Sequence, residues 1–381
     1  MSLFNVFRTP CPHRYRWTLA AAVLACVVAG ARTVPAAQQP GNSPACDTRT
    51  TERVVAVGDI HGAYDSFVGI LRAAGIVNSR TQWSGGRAIL VQTGDVLDRG
   101  PDSRKALDLL RRLEGEAMRA RGRVYPLLGN HEVMRLIGDW RYVSSEEIAA
   151  FRTADSADVR ERAYALISAD VARRAKDEER PFDEAAFREQ FIKEIPLGYV
   201  EMRQAFGPMG EYAKWLRERL AVVKINGIVF LHGGITPGMA TLGCAGLNEQ
   251  VRRELAVPNP TPEQLLAMVS SSETGPLWYR GLAEEPDPAF APAVTGILGL
   301  LGARAIVVGH TAAASFRITT RFDGRVIQID TGMLGGAFYP GGSASALEIR
   351  GDRVTAIYQS GRERLSSPAP APAAVPVPTT R

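Results

Sequence analysis

Short apolar runs alternate with amphipathic segments through the first part of the chain. The runs at 53–57, 88–91 and 123–128 have the length and composition of buried strands, and each is followed within a few residues by a glycine and polar side chains. After the first run, apolar residues recur at helical spacing, at Phe67, Ile70, Leu71 and Ala74. This β-α-β-α-β order predicts a sheet that is covered by helices.

A charged, alanine-rich segment at about 133–220 interrupts the strand pattern and is predicted to be a helical insert. Asp183 has the position of a cap for one of its helices. The insert either shapes a substrate site as a cap or has a purely structural role. Strand character resumes at 222–231, where Asn226-Gly227 between two apolar runs predicts a hairpin. A further strand is predicted at 305–308.

The two ends of the chain differ from this pattern. Residues 1–37 combine a basic start, a short apolar run and small residues, which is typical of a secretory signal peptide; an uncleaved anchor is the alternative. Residues 38–52 are predicted to be a linker, and residues 363–381 a disordered tail rich in Pro and Ala. We therefore predict one domain at 53–362, in a protein exported to the periplasm without a stable membrane span.

The net charge bears on whether the protein binds nucleic acid, and the cysteines bear on whether it contains a disulfide. The formal net charge of the 381 residues is +5, but residues 1–37 contain four arginines and no acidic residue, so the remaining chain is nearly neutral. Such a balance gives no argument for binding nucleic acid. Cys46 and Cys244 remain after the predicted signal peptide, and they either form a disulfide in an oxidising compartment or remain separate thiols.

The histidines give the strongest sign of chemistry. One of the five belongs to the predicted signal peptide, and the other four stand close to a glycine at the end of a predicted strand: His61, His131, His232 and His310. Asp59, Asp95 and Asn130 lie in the same turns. One histidine in such a place is usually an ordinary polar residue of the core. Four of them, combined with two carboxylates and an amide, indicate a metal site.

This set of nitrogen and oxygen donors without a thiolate suits Mn, Fe, Zn or Co. A carboxylate that bridges permits two cations, and water shared by two cations loses a proton readily and attacks phosphorus in line. Arg99 and Arg280 are candidates for binding the phosphate, because guanidinium groups bind phosphate oxygens in a planar, two-pronged way. Arg280 has the alternative role of a surface arginine.

The motifs around these residues resemble those of the calcineurin-like metallophosphoesterases. The resemblance rests on Gly58-Asp59-Ile60-His61-Gly62, Gly94-Asp95-Val96-Leu97-Asp98-Arg99-Gly100, Gly129-Asn130-His131-Glu132, His232-Gly233-Gly234 and Gly309-His310. Asp98-Arg99-Gly100 is similar to the phosphoprotein phosphatase branch. Gly129–Met134 and Leu277-Trp278-Tyr279-Arg280-Gly281 are similar to the bacterial Shewanella-like phosphatases.

The resemblance implies an α/β fold, an α/β/β/α sandwich of two mixed sheets flanked by helices. It implies that one metal is bound by Asp59, His61 and Asp95, and that a second is bound by Asp95, Asn130, His232 and His310. His131 would be the general acid, oriented by Asp98, and the phosphate would be held by Arg99, Arg280 and Asn130. The Ser-Ala-Pro-Asn-Tyr segment of the eukaryotic enzymes is absent, and Asp330-Thr331-Gly332 stands near its place. A strict serine/threonine preference is therefore not implied.

We therefore predict a phosphomonoester hydrolase with two divalent metal ions, Mn first and Fe or Zn as alternatives, that uses a metal-bridging hydroxide. Its substrate is predicted to be a phosphorylated protein, on tyrosine or on serine/threonine, or a small phosphoester. Two other functions fit the motifs: hydrolysis of dinucleoside tetraphosphates, and metal binding without catalysis. The sequence leaves the metal, the substrate, the oligomeric state and the role of the insert open.

Overall fold

The structure is a computed structural model that describes residues 46–257, 260–366 and 368. The predicted signal peptide at 1–37 lies outside the described residues, as do parts of the predicted linker and tail. The described residues form two compact units, one comprising 46–147 with 211–368 and the other comprising 148–210.

Twelve strands are present in the described part of the chain, and they form two six-stranded sheets. In chain order they are β1 Asp47–Thr48, β2 Val54–Val57, β3 Ile89–Gln92, β4 Arg123–Pro126, β5 Val222–Ile225, β6 Ile228–Leu231, β7 Ala305–Val308, β8 Thr319–Arg321, β9 Val326–Gln328, β10 Ser345–Arg350, β11 Arg353–Tyr358 and β12 Gly361–Arg364. One sheet has the order β12-β11-β10-β2-β3-β4, and the other has the order β1-β5-β6-β7-β9-β8. Both sheets mix parallel and antiparallel pairs.

The helices of the described residues connect and cover these strands. They are α1 Tyr64–Ala73, α2 Ser103–Arg119, α3 Asn130–Ile137, α4 Ser145–Ala149, α5 Ser156–Asp177, α6 Glu184–Glu194, α7 Tyr199–Ala205, α8 Glu211–Arg217, α9 Pro237–Ala240, α10 Gly243–Leu255, α11 Pro262–Ala267, α12 Gly281–Glu284 and α13 Asp287–Leu301. α2 packs against β4, α1 against β10 and β11, and α10 against β5. On α2 the residues of the apolar stripe are buried, as their helical spacing predicts: Ala106, Leu110, Leu113 and Ala117.

The two sheets share one hydrophobic core. Alternate residues of β2 and β3, such as Val54, Ala56 and Val91, belong to the same buried cluster as Val223 and Phe230 of the other sheet. This is the period-two pattern expected when each sheet turns one face toward the other. Together with the helices on the sheets, it confirms the predicted α/β/β/α sandwich.

The smaller unit has a hydrophobic cluster of its own. It is built from α5, α6 and α7, with Tyr164, Ile167, Phe187 and Phe191 among its buried residues. Asp183 caps α6, since its carboxylate accepts a hydrogen bond from Ala186 N at 3.0 Å. The predicted insert at about 133–220 is helical, but only 148–210 forms the separate unit.

Both ends of the predicted domain extend beyond their predicted boundaries. Asp47 and Thr48, assigned to the linker at 38–52, form β1 and pair with β5. At the other end, β12 includes two residues of the tail predicted at 363–381. A two-residue strand and an exposed edge strand carry too little apolar pattern to be seen in the sequence.

The structure also bears on the cysteines and on the membrane prediction. Cys46 and Cys244, the two cysteines considered for a disulfide, are both free thiols in the structure. They are neighbours in the fold, since Cys244 Sγ lies 3.0 Å from Cys46 O. Within the described ranges, none of the helices has the length and apolar character to cross a membrane.

Candidate active site

The predicted site residues follow parallel strands of both sheets. β2 and β3 carry the loops with Asp59 and Asp95, and α3 begins shortly after β4 with Asn130. In the other sheet, parallel strands β6 and β7 end just before His232 and His310. The carboxyl ends of parallel strands are the common place for ligand sites in α/β folds, because the loops there converge.

Several of these residues have a strained backbone. His61, Asp95, Asp98, Arg99 and His310 have φ angles of 47°, 56°, 68°, 68° and 63°. The left-handed region is unfavourable for residues with a Cβ, and such residues cluster at functional sites. Backbone hydrogen bonds compensate this cost, since Ile60 N and His61 N both donate to Asp95 O at 2.9 Å. The two metal-candidate loops are therefore fixed to each other.

Asp95 lies between two groups of possible metal ligands. One group is His61, Asp95 and His131, and the other is Asp95, His232 and His310; within each, the ligand atoms lie within 4.8 Å of one another. Asp95 Oδ2 is 3.5 Å from His61 Nε2 and 3.2 Å from His232 Nε2. Asp95 is thus placed where a bridging ligand is required.

Asp59 and Asn130 complete the cluster. Asp59 Oδ2 lies 3.9 Å from His61 Nε2, and the Asp59 carboxylate also accepts hydrogen bonds from His310 N at 3.0 and 3.2 Å. Asn130 Oδ1 lies 2.9 Å from His232 Nε2. All six predicted metal ligands therefore converge on one buried site, each with at most 9% of its surface exposed.

The donor atoms around His232 fit a cation. Thr93 O lies 2.9 Å from Nδ1 of His232 and accepts a hydrogen bond from it, so Nε2 is the ring nitrogen that faces the cluster. Nε2 faces the oxygens of Asn130 and Asp95, which are both acceptors. In addition, His310 Nε2 is buried and has no hydrogen-bond partner among the described residues. Converging acceptors of this kind are stabilised by a positive ion, so the residues fit divalent metals.

Burial keeps two of the imidazoles neutral. It lowers the pKa of His61 to about 3 and that of His310 to about 2, in the latter case with help from the neighbouring His232. Burial alone would raise the pKa of Asp95, but attraction to His232 and His131 holds it well below its usual value. Neutral imidazoles around an ionised carboxylate are the protonation states in which metal ligands bind.

His131 has the opposite behaviour. Burial would lower its pKa, but the negative charges of Asp95 and Asp98 raise it above the usual value. His131 Nδ1 donates to Asp98 Oδ2 at 2.7 Å, so Nε2 is the atom that faces the metal-ligand cluster. Although distance alone groups His131 with His61 and Asp95, its raised pKa distinguishes it from His61 and His310.

Residues 52–314 match the sequence profile of the calcineurin-like phosphoesterases. The chain belongs to this family. It is 30% identical to Shewanella-like protein phosphatase 2 of Arabidopsis thaliana, over 81% of this chain and 78% of that protein. It is also 31% identical to the uncharacterized protein C1840.07c of Schizosaccharomyces pombe, over 74% of this chain and 73% of that protein.

A crystal structure of the cold-active protein-tyrosine phosphatase of a psychrophilic Shewanella species has the same fold. It is 27% identical, has a TM-score of 0.63, and the match covers 84% of this chain and 82% of that one. These similarities confirm that the chain resembles the Shewanella-like phosphatases. Family and ligand geometry together make it a metal-dependent phosphatase.

Both predicted phosphate-binding arginines lie at the cluster of this phosphoesterase. Arg99 Nη1 lies 2.7 Å from His61 Nε2, and Arg99 Nη2 lies 3.3 Å from His131 Nε2. Arg280 donates through Nη1 to His310 O at 3.0 Å and to Thr311 Oγ1 at 2.9 Å. The guanidinium group of Arg99 thus lies beside His61 and His131, and that of Arg280 lies beside His310.

The residues that support Asp98 were not predicted from the sequence. Arg135 is 1% exposed, and its Nη2 donates to Asp98 Oδ1 and, at 3.1 Å, to Glu147 Oε1. Burial opposes ionisation of Asp98, but Arg135 and the hydrogen bond from His131 lower its pKa. The only signal in the sequence is that Arg135 follows His131 by four residues, which places both on one face of α3.

Glu132 has a structural role that its place in the motif did not indicate. Its carboxylate accepts hydrogen bonds from the backbone N of Asp95, Val96 and Gly129 at 2.8, 2.9 and 2.8 Å. It therefore ties the loop that carries the bridging aspartate to the start of α3. Removing these acceptors would leave buried donors without partners.

Aromatic side chains line the same site, and two of them were not predicted from the sequence. The Tyr339 ring lies 6.4 Å from that of His61 at 22°, and its hydroxyl accepts a hydrogen bond from Arg99 Nη1. Tyr142 lies 5.2 Å from His131, and Trp278 lies 5.9 Å from His310. Tyr142 and Tyr339 lie outside the motifs, so no local pattern indicates their role.

Proposed function

We propose that this chain is a protein phosphatase that hydrolyses phosphotyrosine with two divalent ions bound, manganese in first place. The observation that carries the proposal is the position of Asp95, which is shared by two groups of ligands, with the His131–Asp98 pair beside it. A shared carboxylate is typical of sites with two metals. A histidine whose pKa is raised, held next to such a site, is suited to proton donation.

The chain's own residues account for substrate binding and proton transfer. Arg99 and Arg280 are placed to bind the non-bridging oxygens of the phosphate, and Asn130 contributes an amide beside them. Bound divalent ions supply charge neutralisation at phosphate and a lowered pKa of water. His131 donates its Nε2 proton to the leaving oxygen, while Asp98 holds the Nδ1 proton and the ring orientation.

The aromatic residues support an aryl ester as substrate. Tyr142, Tyr339 and Trp278 lie next to three of the four site histidines. Aromatic rings stack offset or edge-to-face at these distances, with a gain of about 1 kcal/mol per pair. The similar solved structure is named a protein-tyrosine phosphatase, which agrees with this choice.

Export to the periplasm is part of the proposal, and its support is the composition of residues 1–37 alone. Manganese is proposed because oxygen and imidazole donors without thiolate suit it; iron and zinc are the alternatives. Cell fractionation with N-terminal sequencing, and element analysis of natively purified protein, test these two parts separately. A cytosolic, full-length protein contradicts export, and a preparation rich in another metal contradicts manganese.

A substrate panel tests the activity. Manganese-loaded protein is assayed with a phosphotyrosine peptide, the matched phosphoserine and phosphothreonine peptides, and diadenosine tetraphosphate. We expect the highest kcat/KM for the phosphotyrosine peptide. Preference for the anhydride contradicts the proposal, and absence of turnover on every aryl phosphate, with two metals bound, favours a binding module instead.

A further inference from the structure

Asp330 is a buried carboxylate to which the proposed mechanism assigns no role. It follows β9, which is parallel to β7, and Ile329 N donates to Val308 O at 2.9 Å. In addition, Ala313 N donates to Asp330 O at 3.1 Å. Asp330 therefore stands at the carboxyl end of the strand next to the one that carries His310.

The backbone of Asp330 also touches the loop that carries Asp59. A Cβ placed on Gly58 would lie 2.6 Å from Ile329 O and 3.2 Å from Asp330 Cα, so only a glycine permits this approach. Gly58 directly precedes Asp59 in the chain. The fold thus holds Asp330 beside one of the predicted metal ligands, although 271 residues separate them in sequence.

Only one oxygen of the Asp330 carboxylate has a partner. Oδ1 accepts a hydrogen bond from Gly332 N at 2.9 Å. Oδ2 is buried and has no hydrogen-bond partner among the described residues. Buried anionic oxygens are almost always paired, because an unpaired one loses its hydration without compensation. The free oxygen therefore indicates a partner that is not part of the polypeptide.

The charges around Asp330 indicate what this partner is. Burial and the negative charge of Asp95 raise the pKa of Asp330 to about 6, and burial together with the charges of Asp330 and Asp95 raises that of Asp59. Asp330, Asp59 and Asp95 are 0%, 3% and 1% exposed, so water screens their mutual repulsion little. Arg99 is the neighbouring positive group, and it also serves His61 and Tyr339. A cation relieves the repulsion of three buried carboxylates.

We propose that Asp330 is a third carboxylate of the metal centre, and that its Oδ2 stabilises the cation on the Asp59 side. This inference rests on the proposed two-metal function and adds a residue to it. The competing role is purely structural: Asp330 would only hold the turn at Gly332, for which Oδ1 is sufficient.

Asp330→Asn separates the two roles, because it keeps an acceptor at Oδ1 and removes the charge. Metal-free protein of the full chain is titrated with Mn²⁺ in equilibrium dialysis, and bound metal is measured by element analysis. We expect one of the two ions to bind about 10- to 100-fold more weakly, as for loss of other supporting residues of metal sites. Thr331→Val is the matched control, since Thr331 is the next residue, is buried, and hydrogen-bonds Ser343 O and Ser345 Oγ.

Thermal unfolding supplies a second readout with a distinct sign. Without metal, Asp330→Asn is expected to raise Tm, because it removes repulsion among three carboxylates. With Mn²⁺, the variant is expected to gain less in Tm than the wild type. A purely structural carboxylate, whose Oδ1 acceptor the amide preserves, predicts a Tm without metal that is no higher than that of the wild type, and an unchanged gain on adding Mn²⁺.

Several outcomes overturn the inference. They are Mn²⁺ affinity within twofold of wild type in both Asp330→Asn and Asp330→Ala, or failure of Asp330→Asn to fold in the absence of metal. The wild type keeps this result distinct from the larger proposal. If the wild type binds two ions and the variant binds them equally well, only the role of Asp330 is rejected; if the wild type binds none, the two-metal function is rejected.

Discussion

His61 and His131 lie side by side in the site, yet their environments give them opposite proton affinities. Their ring centroids are 4.8 Å apart, and both rings are buried. Burial lowers the pKa of His61 to about 3, whereas Asp95 and Asp98 outweigh burial and raise that of His131. The Nδ1 partner differs too: a backbone carbonyl of Leu97 in one case and the Asp98 carboxylate in the other.

This contrast shows how one residue type is given two tasks within a single cavity. A backbone carbonyl as partner leaves the imidazole neutral, with one ring nitrogen unprotonated, which is the state of a metal ligand. A carboxylate partner stabilises the imidazolium, which is the state of a general acid. Substitution of a ligand histidine is therefore expected to impair metal binding, and substitution of His131 is expected to impair proton transfer.

The largest effect is expected on the ligand side. His232→Ala removes a nitrogen that lies next to both Asn130 and Asp95. We expect loss of at least one bound metal per chain and a fall in activity of more than about 100-fold, which exceeds the cost of losing a supporting residue of a metal site. Element analysis of the dialysed variant checks this, and a full complement of metal would remove His232 from the ligands.

His131→Ala is expected to fail in the other way, with metal retained. General acid catalysis contributes about 10²–10⁴-fold, so kcat should fall by that factor for a phenyl ester with a poor leaving group. An aryl phosphate with a good leaving group needs little protonation and should lose less. Equal losses for both substrates, or loss of metal, would show that His131 belongs to the ligand side of the comparison.

Asp98→Asn tests the origin of the raised pKa of His131. The amide removes an anion that raises this pKa, so the imidazolium should lose its proton at lower pH. Activity that requires protonated His131 is lost as pH rises through this pKa; in the variant, we therefore expect the basic limb of the kcat profile to move to lower pH. A profile that keeps its basic limb while kcat falls would mean that Asp98 only orients the ring.

The smallest effect is expected for Tyr339→Phe. The variant keeps the ring beside His61 and removes the hydroxyl that accepts from Arg99. One hydrogen bond contributes about 1 kcal/mol, so we expect KM for an aryl phosphate to rise roughly fivefold with kcat little changed. Tyr339→Leu, which also removes the ring, should raise KM further for aryl than for alkyl phosphates; equal changes would argue against an aromatic contact.

The sequence predicted the strands, the glycine-bounded loops and the set of four histidines, two carboxylates and an amide, because each of these leaves a local pattern. The family resemblance then separated the six predicted metal ligands from His131. Apolar runs of strand length end at glycines, and the polar residues that follow carry the chemistry. Two residues whose importance depends on a distant partner were assigned no role from the sequence. Arg135 and Glu132 matter only through contacts with the loop around Asp95 and Asp98, more than 30 residues earlier in the chain.

The order of apolar and polar residues by itself determined the alternation of strands with covering helices and the residue types at the strand ends, since regular burial depends on local sequence. The sandwich of two sheets was implied by the resemblance of the motifs. The tertiary structure decided which of these side chains meet and which protonation states they adopt. Burial and neighbouring charges set those states, and they act across the two sheets rather than along the chain. For that reason His61 and His131 have similar local sequence patterns, and their different proton affinities arise only in the folded site.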